Sequence, residues 1–165
     1  MQESTLNDRP EGSFKFVSFL LNGEWYGEDI RYIQEVNRLQ EITEIPGLPD
    51  YILGVINLRG KIIPIMDMRR RLGMPPVAPS EKSRILVASY GGSVLGLLVD
   101  SVHQVMEMPL SMISPPPSSV SRNRYIYGIG RLEDKLIFLL DIERIFEDSQ
   151  VQMNEGEMEK MAQTP

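Results

Sequence analysis

The sequence predicts an all-β protein made of two similar small barrels. Three observations support this, namely two hairpin patterns and an internal repeat. Two short apolar segments fold back on themselves, one at Asn22-Gly23 and the other at Gly91-Gly92. Asn-Gly and Gly-Gly tolerate the positive φ angles that a two-residue hairpin turn requires, so both segments are predicted to be β-hairpins. The third observation is that the first part of the chain resembles the second. Short apolar strands separated by glycine and proline are typical of small barrels.

The internal repeat consists of two blocks that recur in the same order. Tyr26-Gly27 and the apolar residues after it match Leu95-Gly96 and its followers at an offset of 69 positions. Residues 54–72, GVINLRGKIIPIMDMRRRL, match residues 128–146, GIGRLEDKLIFLLDIERIF, without a gap at an offset of 74. Two unrelated hairpins can share apolar spacing by chance, but ordered agreement of two separate blocks favours a duplication.

The repeat divides the chain into barrel-like halves at about 14–72 and 83–146. Residues 73–82 join them and contain three prolines, which suits a linker and not a strand. A half of this size buries only a small core alone, so we expect apolar surface to be buried between the halves as well. Asp67 and Asp141 occupy equivalent places before short charged segments, where we predict short helices with aspartate at the N-cap.

The two ends of the chain are polar and are predicted to lie outside this single domain of residues 14–147. Residues 1–13 are expected to be disordered. Residues 148–165 form an acidic, Met-containing tail that is expected to be flexible or helical.

Composition limits the classes of function. The formal net charge of −6 disfavours binding to nucleic acid or to an anionic membrane, because both depend on clustered lysine and arginine. The absence of cysteine excludes disulfides and thiolate chemistry. No basic and apolar leader or membrane-length apolar run is present, so we expect a soluble, cytoplasmic protein without membrane insertion.

A search for reactive groups finds little. His103 is the only histidine and has no nucleophile motif beside it, and no spacing of ligands predicts a metal or cofactor. Asp67, Asp100 and Asp141 each follow an apolar run, so a carboxylate-dependent hydrolase is one alternative, although a structural role suits them better. A small ligand-binding β-barrel is the other alternative, and it requires a closed apolar cavity.

The segment Asn57-Leu58-Arg59-Gly60 is the least repeated part of the repeat. Glu133 occupies the position of Arg59 in the second half, so the shared fold does not require an arginine there. An exposed arginine present in one half only is a candidate for recognition. The neighbouring run Arg69-Arg70-Arg71 is more simply interpreted as a solvated helix face.

Three segments resemble the CheW family of chemotaxis adaptors: Tyr-Gly-Glu-Asp-Ile at 26–30, Ile-Pro-Gly-Leu-Pro at 45–49, and Ile-Leu-Gly-Val-Ile-Asn-Leu-Arg-Gly-Lys-Ile-Ile-Pro-Ile-Met-Asp at 52–67. The resemblance covers about residues 14–147. It implies two five-stranded SH3-like barrels packed together, without catalysis or cofactor. It also implies a scaffold that couples methyl-accepting receptors to the histidine kinase CheA in membrane arrays.

The resemblance also implies partner-binding positions. The receptor tip would lie in an apolar groove between the barrels, and the regulatory domain of CheA or another CheW-like domain would pack barrel against barrel. The positions that line or border these surfaces are Ile33, Glu35, Val36, Arg59, Val102 and Val105. Glu35 and Arg59 would form an ion pair, and Gly54, Asn57 and Gly60 belong to the motif and its turn. Core packing explains the four apolar positions equally well. Trp25, His103 and the acidic tail depart from the family pattern.

Overall fold

The computed structural model describes residues 12–119 and 123–149, which form eleven strands and two short helices. The elements are β1 Ser13–Leu21, β2 Glu24–Asp29, β3 Ile33–Arg38, β4 Ile52–Leu58, β5 Lys61–Asp67, α1 Met68–Arg71, β6 Arg84–Tyr90, β7 Ser93–Val99, β8 Ser101–Pro109, β9 Ile113–Ser114, β10 Ile126–Leu132, β11 Lys135–Leu140 and α2 Ile142–Glu147. The predicted all-β class is confirmed.

The strands form two sheets, and each sheet contains strands from both sequence repeats. The six-stranded sheet has the order β8-β1-β2-β11-β10-β9, and the five-stranded sheet has the order β3-β6-β7-β5-β4. The boundaries 14–72 and 83–146 therefore mark the repeats but not the two sheets. The prediction that each half forms its own barrel needs this correction, because the two halves exchange their first hairpins.

The exchange occurs at equivalent places in the two repeats. Strand β2 pairs in parallel with β11, placing Gly27 opposite Leu139, and β7 pairs in parallel with β5, placing Gly96 opposite Ile65. These two residue pairs are equivalent under the offsets of 69 and 74 found in the sequence. A Cβ atom on Gly27 would lie 2.6 Å from a ring carbon of Phe16 and 3.0 Å from a methyl carbon of Leu139, so the packing of these two side chains over β2 depends on glycine. The shared register supports the duplication.

The chain leaves the six-stranded sheet after β2 through a 3-10 turn at Ile30–Tyr32. The Asp29 carboxylate caps this turn by accepting a hydrogen bond from the Arg31 backbone N–H at 2.9 Å. Strand β3 then starts at Ile33 and pairs with β6 in the other sheet. Asp29 thus caps the turn at which the chain passes from the six-stranded sheet to the five-stranded sheet.

Both hairpin turns predicted from the sequence are present. The φ angles are 53° and 78° at Asn22 and Gly23, and 60° and 85° at Gly91 and Gly92. Positive φ at both central residues is the geometry whose twist matches that of the flanking strands. The predicted N-caps are confirmed too. The Asp67 carboxylate accepts from the Arg69 N–H at 3.0 Å, and the Asp141 carboxylate accepts from the Arg144 N–H at 3.1 Å.

Three apolar clusters hold the fold together. One fills the five-stranded sheet and includes Ile63 and Ile85, and another fills the six-stranded sheet and includes Phe16 and Leu139. The third and largest, here called the central cluster, lies between the sheets. Its buried members from strands are Val17, Phe19, Leu21, Tyr26, Ile52, Met66, Leu86, Ala88, Leu95, Leu97, Val99, Ile126 and Leu140. These residues come from both repeats, so the expected burial of apolar surface between the halves is confirmed.

The folded body extends slightly beyond the predicted domain at both ends. Strand β1 begins at Ser13, Asp148 is the C-cap of α2, and Ser149 is buried. The remaining predicted disorder and tail structure fall on residues 1–11 and 150–165, which lie outside the described residues. Within the described ranges, no helix is long and apolar enough to cross a membrane.

Candidate partner-binding surfaces

The predicted apolar positions lie on two edge strands, β3 and β8, which are equivalent in the repeat. Ile33 and Val102 are half-buried against the central cluster. Val36 and Val105 are 41% and 57% exposed. Val36 and Val105 are therefore not core residues, whereas Ile33 and Val102 belong partly to the core. Each edge strand thus carries an exposed valine and, three residues before it, an apolar residue that is partly buried against the central cluster.

Glu35 and Arg59 form an ion pair across the end of the five-stranded sheet, as the resemblance implied. The Arg59 side chain is 69% exposed, and its backbone φ is 53° in the turn between β4 and β5. Asn57 Oδ1 accepts a hydrogen bond from the Gly60 N–H at 2.8 Å, which holds this turn closed. Asn57 and Gly60 thus shape the turn, and Arg59 presents a guanidinium from it.

The three aspartates considered for hydrolysis each make structural hydrogen bonds. Asp67 and Asp141 cap the two helices. Asp100 accepts from Arg69 Nε at 3.0 Å, from Arg69 Nη2 at 2.7 Å and from the Asn22 N–H at 2.9 Å. Burial opposes ionisation of Asp100, but its hydrogen bonds with Arg69 and the Asn22 N–H outweigh that effect and lower its pKa. All three carboxylates thus have a structural explanation.

Trp25 and His103, which depart from the family pattern, contact each other. Their ring centroids are 4.6 Å apart, and Lys135 Nζ lies 4.7 Å from the indole centroid. His103 Nε2 lies 3.2 Å from Ser101 Oγ. Trp25 also packs against the core of the six-stranded sheet, so this cluster covers the end of that core.

A cationic clamp that the sequence did not predict joins the two repeats. The Arg71 guanidinium carbon lies 4.2 Å from the Tyr51 ring centroid and 4.6 Å from that of Tyr125. Asp148 accepts from Arg124 Nη2 at 2.9 Å and from the Tyr125 hydroxyl at 2.9 Å. These bonds lower the pKa of Asp148 to about 2, the Arg124 bond having the largest effect. The motif search missed the clamp because its members are far apart in sequence.

In the described residues, the buried cluster of the five-stranded sheet consists of aliphatic side chains, and that of the six-stranded sheet mixes aromatic, aliphatic and methionine side chains. A closed cavity, as required for a ligand-binding barrel, has no support in this packing. The surface features with the clearest potential for recognition are the two edge strands and the turn carrying Arg59.

Comparison with known proteins identifies the family of the chain. The family model of the CheW-like domain matches residues 15–150. The chain is 34% identical over 139 residues to the chemotaxis protein CheW of Klebsiella aerogenes, covering 83% of this chain and 84% of that protein. It is 30% identical over 135 residues to CheW of Bacillus subtilis, covering 81% and 86%.

A solved structure agrees with these sequence matches. The crystal structure of the scaffolding protein CheW from Thermoanaerobacter tengcongensis superposes with a TM-score of 0.77 at 38% identity, covering 86% of this chain and 96% of that one. The fold, the repeat register and the motif at 52–67 all fall within the matched region. This chain belongs to the CheW-like domain family.

Proposed function

We propose that this protein is a chemotaxis adaptor that couples methyl-accepting receptors to the histidine kinase CheA and helps to build receptor arrays. The observation that carries the proposal is the pair of equivalent edge strands, which expose Val36 and Val105 on two different sheets. Two separate edge strands, each with an exposed valine, suit a protein that holds two partners at once. Family membership supplies the chemotaxis context.

The two edges differ in their polar surroundings, which suits different partners. Near β3, the Glu35–Arg59 pair adds a charged group that can orient a partner. An exposed pair of this kind contributes only about 0–1 kcal/mol to stability, so its value would lie in recognition. We propose that the receptor tip contacts the groove bordered by Ile33 and Val102, and that the CheA regulatory domain or another CheW-like domain packs against a sheet end.

On this proposal, residues 14–147 act as one binding unit, and the protein works without catalysis. It would be cytoplasmic and would reach the membrane only through its receptors. The structural hydrogen bonds of Asp67, Asp100 and Asp141 support a binding role over a hydrolytic one.

The direct test mixes the purified protein with its cognate CheA regulatory domain and a receptor signalling fragment. We expect a ternary complex by size-exclusion chromatography with light scattering. Val36→Asp and Val105→Asp place a charge on an exposed edge, so each should leave the melting temperature within a few degrees while weakening at least one binary interaction tenfold or more. Failure to bind either partner, or unchanged binding by both variants, would refute the proposed use of these edges.

A second prediction concerns the exposed arginine. Arg59→Ala should weaken complex formation, because it removes the guanidinium held out by the turn and paired with Glu35. The free energy of unfolding should change by less than about 1 kcal/mol, the range of surface ion pairs. Isothermal titration calorimetry with each partner and a urea melt measure the two effects.

Glu133→Ala is the matched control for this variant. Glu133 has the same φ of 53° in the equivalent turn of the other sheet, so the backbone cost of alanine is alike in both variants. We expect Glu133→Ala to bind as the parent protein does at the surface used by Arg59. If both variants weaken binding equally, turn geometry and not the arginine side chain explains the effect.

A further inference from the structure

Glu28 is a completely buried carboxyl group in the middle of the protein. Its exposed fraction is 0%, and neither carboxyl oxygen has a hydrogen-bond partner among the described residues. Buried polar groups are nearly always hydrogen-bonded, since an unsatisfied one costs free energy. A buried acid of this kind therefore calls for a specific explanation.

The position of Glu28 places it on the face that contacts the other sheet. It pairs across the strands with Val17 and lies on the same side of β2 as Tyr26, and both of these residues belong to the central cluster. The equivalent residue in the repeat is Leu97, which pairs with Leu86 and is completely buried. Glu28 thus puts a carboxyl group where the other half of the molecule uses a leucine.

The surroundings oppose a negative charge at this position. Burial has the largest effect, and the Asp29 and Asp141 carboxylates add repulsion. The Asp29 backbone N–H favours the charged form, but the other effects outweigh it and raise the pKa of Glu28 well above its ordinary value. Residues 138–140 of β11, which lies beside β2, are all apolar.

The two arginines near Asp29 and Asp141 form ion pairs with those aspartates and not with Glu28. Arg31 Nη2 lies 3.0 Å from the Asp29 carboxylate, and Arg144 Nε lies 3.8 Å from that of Asp141. Glu143, the remaining acid of the first turn of α2, accepts a hydrogen bond from the Tyr32 hydroxyl at 3.3 Å.

We propose that Glu28 makes the packing between the two sheets depend on pH: the sheets pack tightly while this carboxyl group is protonated, and its ionisation requires the central cluster to open. Ile33 and Val102 pack against the same cluster, so opening would also disturb the inner residues of both edge strands. The inference concerns the isolated protein and does not depend on the proposed partners.

The direction of the effect follows from proton linkage. The unfolded chain loses the Glu28 proton near the ordinary glutamate pKa of about 4.3, whereas the folded protein retains it to higher pH. Stability therefore falls as pH rises between these two values and becomes constant above the folded-state pKa. In that interval the unfolding constant should rise by up to about tenfold per pH unit.

The test is urea denaturation between pH 5 and 9 of the parent protein, Glu28→Gln and Glu28→Leu. Glutamine cannot ionise, so the ratio of the parent unfolding constant to that of Glu28→Gln should grow with pH. Glu28→Leu reproduces the residue at the equivalent position and should unfold at a higher urea concentration than the parent at pH 8. Glu44→Gln, at an exposed glutamate, should follow the parent profile.

Amide hydrogen exchange locates the opening. Raising the pH should speed exchange in β1, β2 and α2 of the parent protein, after correction for intrinsic rates, more than in Glu28→Gln. Parallel stability profiles for the parent and Glu28→Gln would overturn the proposal, even if Glu28→Leu fails to fold. A pH-dependent difference whose added exchange lies away from the central cluster would overturn it as well.

Discussion

Gly54→Ala is expected to lower the free energy of unfolding by about 3 kcal/mol or more, because backbone strain, steric overlap and lost hydrogen bonds each cost about 1–3 kcal/mol. Gly54 has a φ of +149°, and a Cβ atom there would lie 2.2 Å from the Thr43 carbonyl oxygen. That oxygen accepts from the Val55 N–H at 2.9 Å, and the Thr43 N–H donates to the Val55 carbonyl at 2.8 Å. Relief of the overlap therefore requires breaking this bridge.

Gly60→Ala is the comparison that separates backbone strain from steric overlap and lost hydrogen bonds. Gly60 also has a positive φ, +86°, but a Cβ atom there would meet nothing within 4 Å. Its substitution should cost only the backbone strain, about 1–2 kcal/mol. Urea denaturation of both variants gives the comparison. A loss at Gly54 no larger than that at Gly60 would show that the contact with Thr43 adds nothing.

The sequence predicted the repeat and the turns better than the pairing of strands. Apolar alternation and turn chemistry are local, so Asn22-Gly23 and Gly91-Gly92 were correctly placed as hairpin turns. Which hairpin joins which sheet is not local. Because the repeats have similar patterns, exchanging their first hairpins leaves the buried faces mainly apolar, and the sequence pattern alone does not distinguish the two arrangements.

The candidate partner-binding residues likewise include some features that could be predicted and others that could not. The resemblance implied the Glu35–Arg59 pair, and the structure contains it. The exposure of Val36 and Val105 was not predictable, since an edge strand and a core strand can have the same apolar spacing. Glu28 was missed because a glutamate in a strand is normally read as facing solvent. Its repeat partner, Leu97, was the available clue that this position is buried.

Asp100→Ala should destabilise the protein by about 2 kcal/mol, because it leaves the largely buried Arg69 guanidinium without its carboxylate partner. Asp100→Asn keeps an oxygen for the Asn22 N–H and should cost less. The pKa of Asp100 is lowered in the folded protein, so its contribution is present above its ordinary pKa and is lost as pH falls through the folded value. The gap in urea midpoint between the parent and Asp100→Asn should therefore shrink below pH 4.

A double-mutant cycle with Arg69→Met tests whether the two side chains act as a pair, with an expected coupling of about 1–3 kcal/mol. Additive losses would show that Asp100 acts mainly through the Asn22 turn. In the repeat, Glu143 stands at the position of Arg69 and Arg31 at that of Asp100, so the charges are reversed. Arg31 instead pairs with Asp29 beside it. The bidentate Arg69–Asp100 pair, which joins α1 to the residue between β7 and β8, thus has no counterpart at the equivalent positions of the repeat.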